Sequence, residues 1–593
     1  MIERIQGLRS ASALLVSVVT MALPAMAAPF PGDDNDTQPA KAATPAPSEL
    51  EQLKQMLLEQ QKQINELRRM LLERNAGPAD DFAATHPSIV TPASPPVKQE
   101  VGNSVGEVAS TTPALPPAPL APPTPLTPPS NTLPAAAPPP QGDQSSPLQL
   151  KIGDAYITPV GFMDMTMVSR STNPGSGIGT NFGSIPYGNT QAGSLTETRL
   201  SPQNSRIGAR FDALYHDWKI LGYWESDFLG QLGNPPNGSL AVSSNPYVFR
   251  MRLYWVDLTR GKMEFLAGQS WSLMTPNRKG VSPLPGDIFY SQDMDVNYQD
   301  GLTWGRIPGY RIAFHPTDKV AFAVAFENSE PYVGGANGGS GVTLPSAIST
   351  TATTGTTQGS VLGGQINNGS SVISSAALMP DIIAKLAFDP SSRVHFEIAG
   401  VAIADKIAYP GPNTTFPTST TVGGGGSFNF NVEVVKNFRL IANTYWSDGG
   451  GRYIFGHAPD FAIRSNGTPS LIHSGSGVAG FEATARNTLI FAYYGGVYIG
   501  RDMLLDANGT TKIGYGPISS DGQNRAEQEI TFGTNTTLMR DPKWGAINLI
   551  FQYSYVQRDP WLAAVGAPTN AHLDMGFFDL RYTLPGSAPT LGK

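Results

Sequence analysis

Between Ser205 and Phe228 apolar and polar positions alternate residue by residue. Ile207, Ala209, Phe211, Ala213 and Tyr215 fall on one side and Arg206, Gly208, Arg210 and Asp212 on the other, the two-residue period of a strand. A reversal at His216-Asp217 pairs 215 with 218. Arg206 then faces Asp227 and Arg210 faces Tyr223, while Ile207, Phe211, Ala213, Ile220, Trp224 and Phe228 share the opposite face. One register satisfies both strands. Strands about ten residues long, with a greasy aromatic face and an ionic face, suit a tilted bilayer crossing. A hairpin of a water-soluble sandwich would alternate in the same way.

The pattern recurs from Leu148 onward. Strands are expected near 155–168, 205–215, 218–228, 247–259, 262–271, 301–314 (interrupted at Pro308-Gly309), 319–328, 381–388, 393–404, 428–436, 437–446, 478–486, 488–499, 526–535, 543–557 and 572–584, sixteen in all. Val320, Phe322, Val324 and Phe326 oppose Lys319, Ala321, Ala323 and Glu327, and Phe428, Phe430, Val432 and Val434 oppose Asn429, Asn431 and Glu433. From Tyr247 to Lys262 the pattern is less clean: Arg250 and Arg252 share a face, but apolar residues then occupy both. That predicts a bulge or a contact between protomers.

The connections separate barrel from sandwich. Short reversals such as His216-Asp217, Arg260-Gly261 and those at Lys436 and Arg486 alternate with long Gly, Ser, Asn and Thr-rich loops, the longest running from Ser329 to Met379. A sandwich has no reason to gather every long loop at one end. A transmembrane barrel has an even strand number, short periplasmic turns and long outer loops, and its closed sheet pairs every backbone group in lipid. The expected fold is therefore all-β, a 16-stranded antiparallel transmembrane barrel over 148–584 with a tail at 585–593.

The first 147 residues differ in kind. Arg4 and Arg9, the apolar stretch 11–23 and Ala25-Met26-Ala27 read as a secretory signal peptide over 1–27. After a disordered segment at 28–47, Ser48 and Glu51 form a capping box that opens a helix over 48–75. Leu50, Leu53, Leu57, Gln60, Ile64, Leu67 and Leu71 make a coiled-coil seam, too short to stand without partners. A homo-oligomer is implied. The linker at 76–147 is rich in Pro, Ala, Ser and Thr and builds no core; extended, it would reach about 200 Å.

Composition then removes function classes. The 593 residues carry a formal charge of −7, no Cys and 15% charged side chains, with no dense basic cluster, which argues against nucleic acid and thiolate chemistry. Past the N-terminus no apolar run reaches eighteen residues, so any membrane is crossed by strands. The seven histidines show no zinc-like spacing, and no GxSxG, HExxH or P-loop pattern suggests an enzyme. Neither metal nor cofactor is expected.

Sixteen strands leave an aqueous channel. Its wall is expected to present Arg206, Arg210, Arg250, Arg252, Arg311, Arg393 and Arg439, with Asp212, Glu225, Asp227, Glu397 and Glu433. Singly these read as solvated wall charges; as a set, the arginines favour anions. The loop 272–297 carries Arg278, Lys279, Asp287, Asp293 and Asp295. It is the third long loop, and by resemblance to general porins, whose third loop folds into the lumen, it is the candidate constriction.

Signal, coiled coil, Pro-rich spacer and barrel, with RLSPQNSRIGARF (199–211) and FLAGQSWSLMTP (265–276), resemble the DcaP-like trimeric porins of Gram-negative outer membranes. The resemblance implies three barrels side by side in outer-membrane lipid and lipopolysaccharide, a trimeric periplasmic coil, and passive uptake of small anionic solutes such as dicarboxylates. The chain departs from the usual pattern of outer-membrane barrels, which end on an aromatic, because Pro585 to Lys593 follow the last strand; Phe577, Phe578 and Tyr582 are internal substitutes. A second reading makes the protein an envelope tether whose coiled coil contacts peptidoglycan.

Overall fold

The hairpin forms in the anticipated register: Arg206 lies opposite Asp227, Arg210 opposite Tyr223 and Tyr215 opposite Trp218, with His216 turning at a positive φ of 52°. It belongs to a computed structural model that describes residues 146–230, 247–334, 341–347, 374–408, 417–518 and 523–585. The signal peptide, the coiled-coil seam, the linker up to 145 and the tail beyond Pro585 lie outside the described residues.

Sixteen long strands make the wall: β1 (Ala155–Arg170), β2 (Arg206–Tyr215), β3 (Trp218–Gly230), β4 (Val248–Arg260), β5 (Met263–Trp271), β6 (Arg306–Thr317), β7 (Val320–Glu327) and β8 (Asp381–Ser391). They continue as β9 (Val394–Ala408), β10 (Thr418–Val435), β11 (Phe438–Asp448), β12 (His473–Ala485), β13 (Thr488–Ile499), β14 (Asn524–Asp541), β15 (Gly545–Pro560) and β16 (Ala571–Thr583). Each pairs antiparallel with its sequence neighbours. The sheet closes at β1, whose residues 155–162 pair with β2 and 162–170 with β16. Where β1 changes partner, Gly161 adopts φ 140°, and a Cβ there would strike the Arg206 carbonyl, so only glycine fits the seam. Short turns at 216–217, 261–262, 318–319, 392–393, 436–437, 486–487 and 542–544 alternate with the long connections.

Polarity is inverted relative to a water-soluble domain. Ile398, Phe322, Phe428, Ile530, Phe532, Phe551 and Leu580 point outward and are exposed, while Arg252, Asp227, Lys385, Glu397, Asn443 and Arg581 are buried inside. An apolar belt around a closed sheet with polar residues within is the arrangement lipid demands.

Three boundaries differ from expectation. β6 starts at Arg306, since Gly301–Gly305 belong to the preceding loop, and it runs unbroken through Pro308-Gly309. β10 starts at Thr418, ten residues before Phe428, because Gly423–Gly426 hydrogen-bond in the ladder without any side-chain alternation to reveal them. The irregularity at 247–262 is a bulge. Glu225 opposes Leu253 and Ser226 opposes Met251, so Arg252 is the extra residue. Arg250 and Arg252 therefore face inward below the bulge, and Leu253, Trp255 and Asp257 above it.

Candidate functional site in the barrel lumen

The bulge builds the first charged cluster. Arg252 reaches Glu225 at 2.7 Å and Asp227 at 2.9 Å, Arg250 grips Asp227 at 2.7 Å, and Arg206 reaches Glu225 at 3.2 Å while its guanidinium lies over the Phe162 ring. Four of the five side chains are nearly solvent-free. Such ions are held by one another, and removing one partner leaves a buried charge at a cost of about 3–5 kcal/mol.

The other residues expected on the wall are spread around it. Arg311 pairs with Glu264 at 3.0 Å, and Arg210 with Asp212 at 2.7 Å in a half-buried setting near the short turns. Arg439 donates to Asn431 at 2.6 Å and stands 3.9 Å from Glu433. Glu397 is fully buried against Lys385, 3.1 Å away. Arg393 falls in the exposed 392–393 turn instead of on the wall, because β9 begins one residue later.

The β5–β6 loop enters the barrel and crosses it. Its backbone amides donate to wall side chains in succession: Leu273 to Glu327, Asn277 to Glu397, Gln292 to the Tyr493 hydroxyl, Met294 to Gln552, Asp300 to Glu529 and Thr303 to Asn443. These partners lie on β7, β9, β13, β15, β14 and β11, most of the way around the barrel. A buried loop must satisfy its backbone somewhere, and the inward polar residues supply what a helix or ladder would otherwise provide. Arg278 forks onto Glu482 at 2.6 and 2.9 Å and packs over Phe289. Lys279 is exposed and Asp287 half-buried. Burial pushes the Asp287 carboxyl up. Behind the loop, Trp271, Tyr290, Tyr298, Trp304 and Phe455 pack ring on ring.

A second connection, between β11 and β12, also turns inward. Its Arg452 meets Asp405 at 2.7 Å, Asp460 at 2.9 Å and Asp381 at 3.3 Å. His457 from the same loop contacts Glu527 and stands 3.2 Å from Asp300 of the first loop. Burial drives Asp300 up to about 7 and likewise Asp460 to about 7. It also works against the His457 imidazolium, but the neighbouring Glu527 and Asp300 carboxylates outweigh it and the net shift is upward. These groups escaped sequence reasoning because the two loops that bring them together are irregular and their partners lie on distant strands, so neither period nor spacing marks the cluster.

No protein-family model matches the chain, and no curated protein sequence does. Among solved structures, the outer membrane channel DcaP of Acinetobacter baumannii is similar over 73% of this chain and 98% of that one, at 15% identity and a TM-score of 0.51. An anion-selective porin from Comamonas acidovorans aligns over 72% of this chain and 99% of its own, at 11% identity and a TM-score of 0.38. The chain has the barrel fold of the DcaP channel, the fold its sequence resemblance implied.

Proposed function

We propose that the protein is an outer-membrane porin, assembled as a homotrimer, that admits small charged solutes with a preference for organic anions such as dicarboxylates. The observation that carries this reading is the closed sixteen-stranded wall with apolar side chains outward and ions inward, whose lumen is narrowed by the β5–β6 loop. Anion preference rests on the basic groups that keep some exposure near the short-turn end, Arg210, Lys279 and Arg439. The solute's own gradient drives flux and no reaction is catalysed. The N-terminal coil lies in the periplasm, with lipopolysaccharide around the outer rim.

The density of the inward loops favours one second reading, a barrel closed at rest that serves as an envelope tether through its periplasmic coil and peptidoglycan. Single-channel recording in planar bilayers under a salt gradient decides between them. Three-step conductance with an anion-selective reversal potential is expected for the porin. No conductance from a folded, heat-modifiable trimer overturns that reading, and loss of envelope integrity on deleting residues 28–147 then establishes the tether.

A further inference from the structure

We infer that Asp300, His457 and Glu527 form a binding site for a divalent transition-metal ion, which fastens both inward loops to the wall of the barrel. The three come from separate elements: the β5–β6 loop, the β11–β12 loop and strand β14. All are buried, and one atom of each, a carboxylate oxygen or the imidazole Nδ1, lies within 4.8 Å of the other two.

The separation suits a metal. Nitrogen and oxygen ligands at about 2.0–2.2 Å from a common ion stand roughly 3.0–3.5 Å apart in tetrahedral or octahedral geometry. Asp300 Oδ1 and His457 Nδ1 are 3.2 Å apart, whereas Glu527 Oε2 touches the same nitrogen and must draw back from it to admit an ion. The independent indication is Asp300 itself. Neither of its carboxylate oxygens has a hydrogen-bond partner, although the residue is buried inside the barrel. A buried carboxylate without a donor is costly, and a cation removes that cost. Two carboxylates and a neutral imidazole also balance a divalent charge.

The surroundings hold the ligands in place. Asn524 donates to the other Glu527 oxygen at 2.8 Å, and the Asp300 amide is fixed on Glu529 at 2.8 Å. The His457 amide closes a turn onto the Ile454 carbonyl at 3.0 Å, and its ring packs between Phe182 and Phe455, 5.6 and 5.5 Å away. Such supporting contacts orient metal ligands. One imidazole with two carboxylates suits zinc, cobalt, nickel, manganese or ferrous iron, whereas calcium and magnesium prefer oxygen throughout.

The test uses the full-length, tag-free protein in detergent, stripped with a chelator and titrated with Co²⁺ and Zn²⁺ near about pH 8, where imidazole competes well against protons. The expected result is one Co²⁺ per chain, with a visible ligand-field band that Zn²⁺ abolishes. His457→Ala and Asp300→Asn should weaken binding by more than about 100-fold, beyond what loss of a supporting contact costs. His473→Ala removes an exposed histidine paired with Asp448 and should change nothing. Heat-modifiable migration shows that each variant still forms its barrel, and Glu527→Gln replaces any variant that does not. No band from the folded wild type, or equal binding by His457→Ala, overturns the site. Because binding is read without a bilayer, a barrel that fails to conduct leaves this result standing.

Discussion

Strand β7 and the loop that crosses the lumen beside it follow opposite rules. Along β7, Phe322 and Phe326 are exposed while Ala321, Ala323, Ala325 and Glu327 are buried, so the two faces alternate without a break. From Ile288 to Trp304 every residue is buried, whether Asp, Gln, Tyr or Val. The difference is one of surroundings. A wall residue meets either lipid or lumen, and the pleat forces the choice at every second position. A residue of the inward loop meets barrel on all sides, so it has no polar face to display and no period to follow. Its backbone is paired by the wall, which gives the inward polar residues a structural task besides any contact with solute.

That contrast predicts where mutations hurt most. Arg252→Ala should have the largest effect, since it strips Glu225 and Asp227 of a shared partner inside the barrel. A loss of about 3–5 kcal/mol is expected. Urea titration of the detergent-folded barrel, read by heat-modifiable migration, checks it; an unchanged midpoint would mean that water reaches the cluster. Phe532→Arg tests the outer face. Phe532 is 58% exposed in the middle of β14, and an arginine facing the bilayer there should cost about 2–4 kcal/mol in lipid. The same change measured in both lipid and detergent should lose most of its effect in detergent; equal costs would show that this face is covered by protein instead.

Smaller for the wall, but larger for the pore, is Glu482→Ala. It frees the Arg278 fork that pins the loop to β12. Barrel stability should fall less than in Arg252→Ala, because Arg278 has about a tenth of its side chain exposed and can turn toward water. Conductance should rise as the loop swings away. A variant with wild-type conductance would place the narrowest point of the pore elsewhere.

The same contrast explains what could be read from the chain before its structure. The hairpin register, the strand number and the irregularity near Arg252, read as a bulge or a protomer contact, were legible, because each is a consequence of period two or of its local failure. β10 escaped at its start, where four consecutive glycines carry no face. Arg393 was assigned to the wall one residue too early, and Gly301–Gly305 to a strand instead of the loop. The candidate constriction at 272–297 came from resemblance, not from pattern. Its partners, from Glu327 to Gln552, were invisible because loop-to-wall contacts join residues 54 to 258 positions apart without any repeating relation.

The acids on the inward loops give the last and subtlest test. Burial raises the carboxyls of Asp293, Asp295, Asp300 and Asp460, against which stand Arg170 beside Asp295, Arg452 beside Asp460, and His457 beside Asp300. A carboxyl whose pKa is raised in the packed state binds its proton more tightly there than in the released loop. Packing is then favoured at low pH and loses stability as pH climbs from the ordinary carboxylate value near 4 through about 7. Between about pH 5 and pH 8 the conductance of a metal-stripped trimer should therefore rise. Conductance that falls over this range would reverse the sign assigned to the buried acids. If a divalent ion occupies Asp300, His457 and Glu527, adding Zn²⁺ should flatten the rise, because a bound cation replaces the proton that the loop loses.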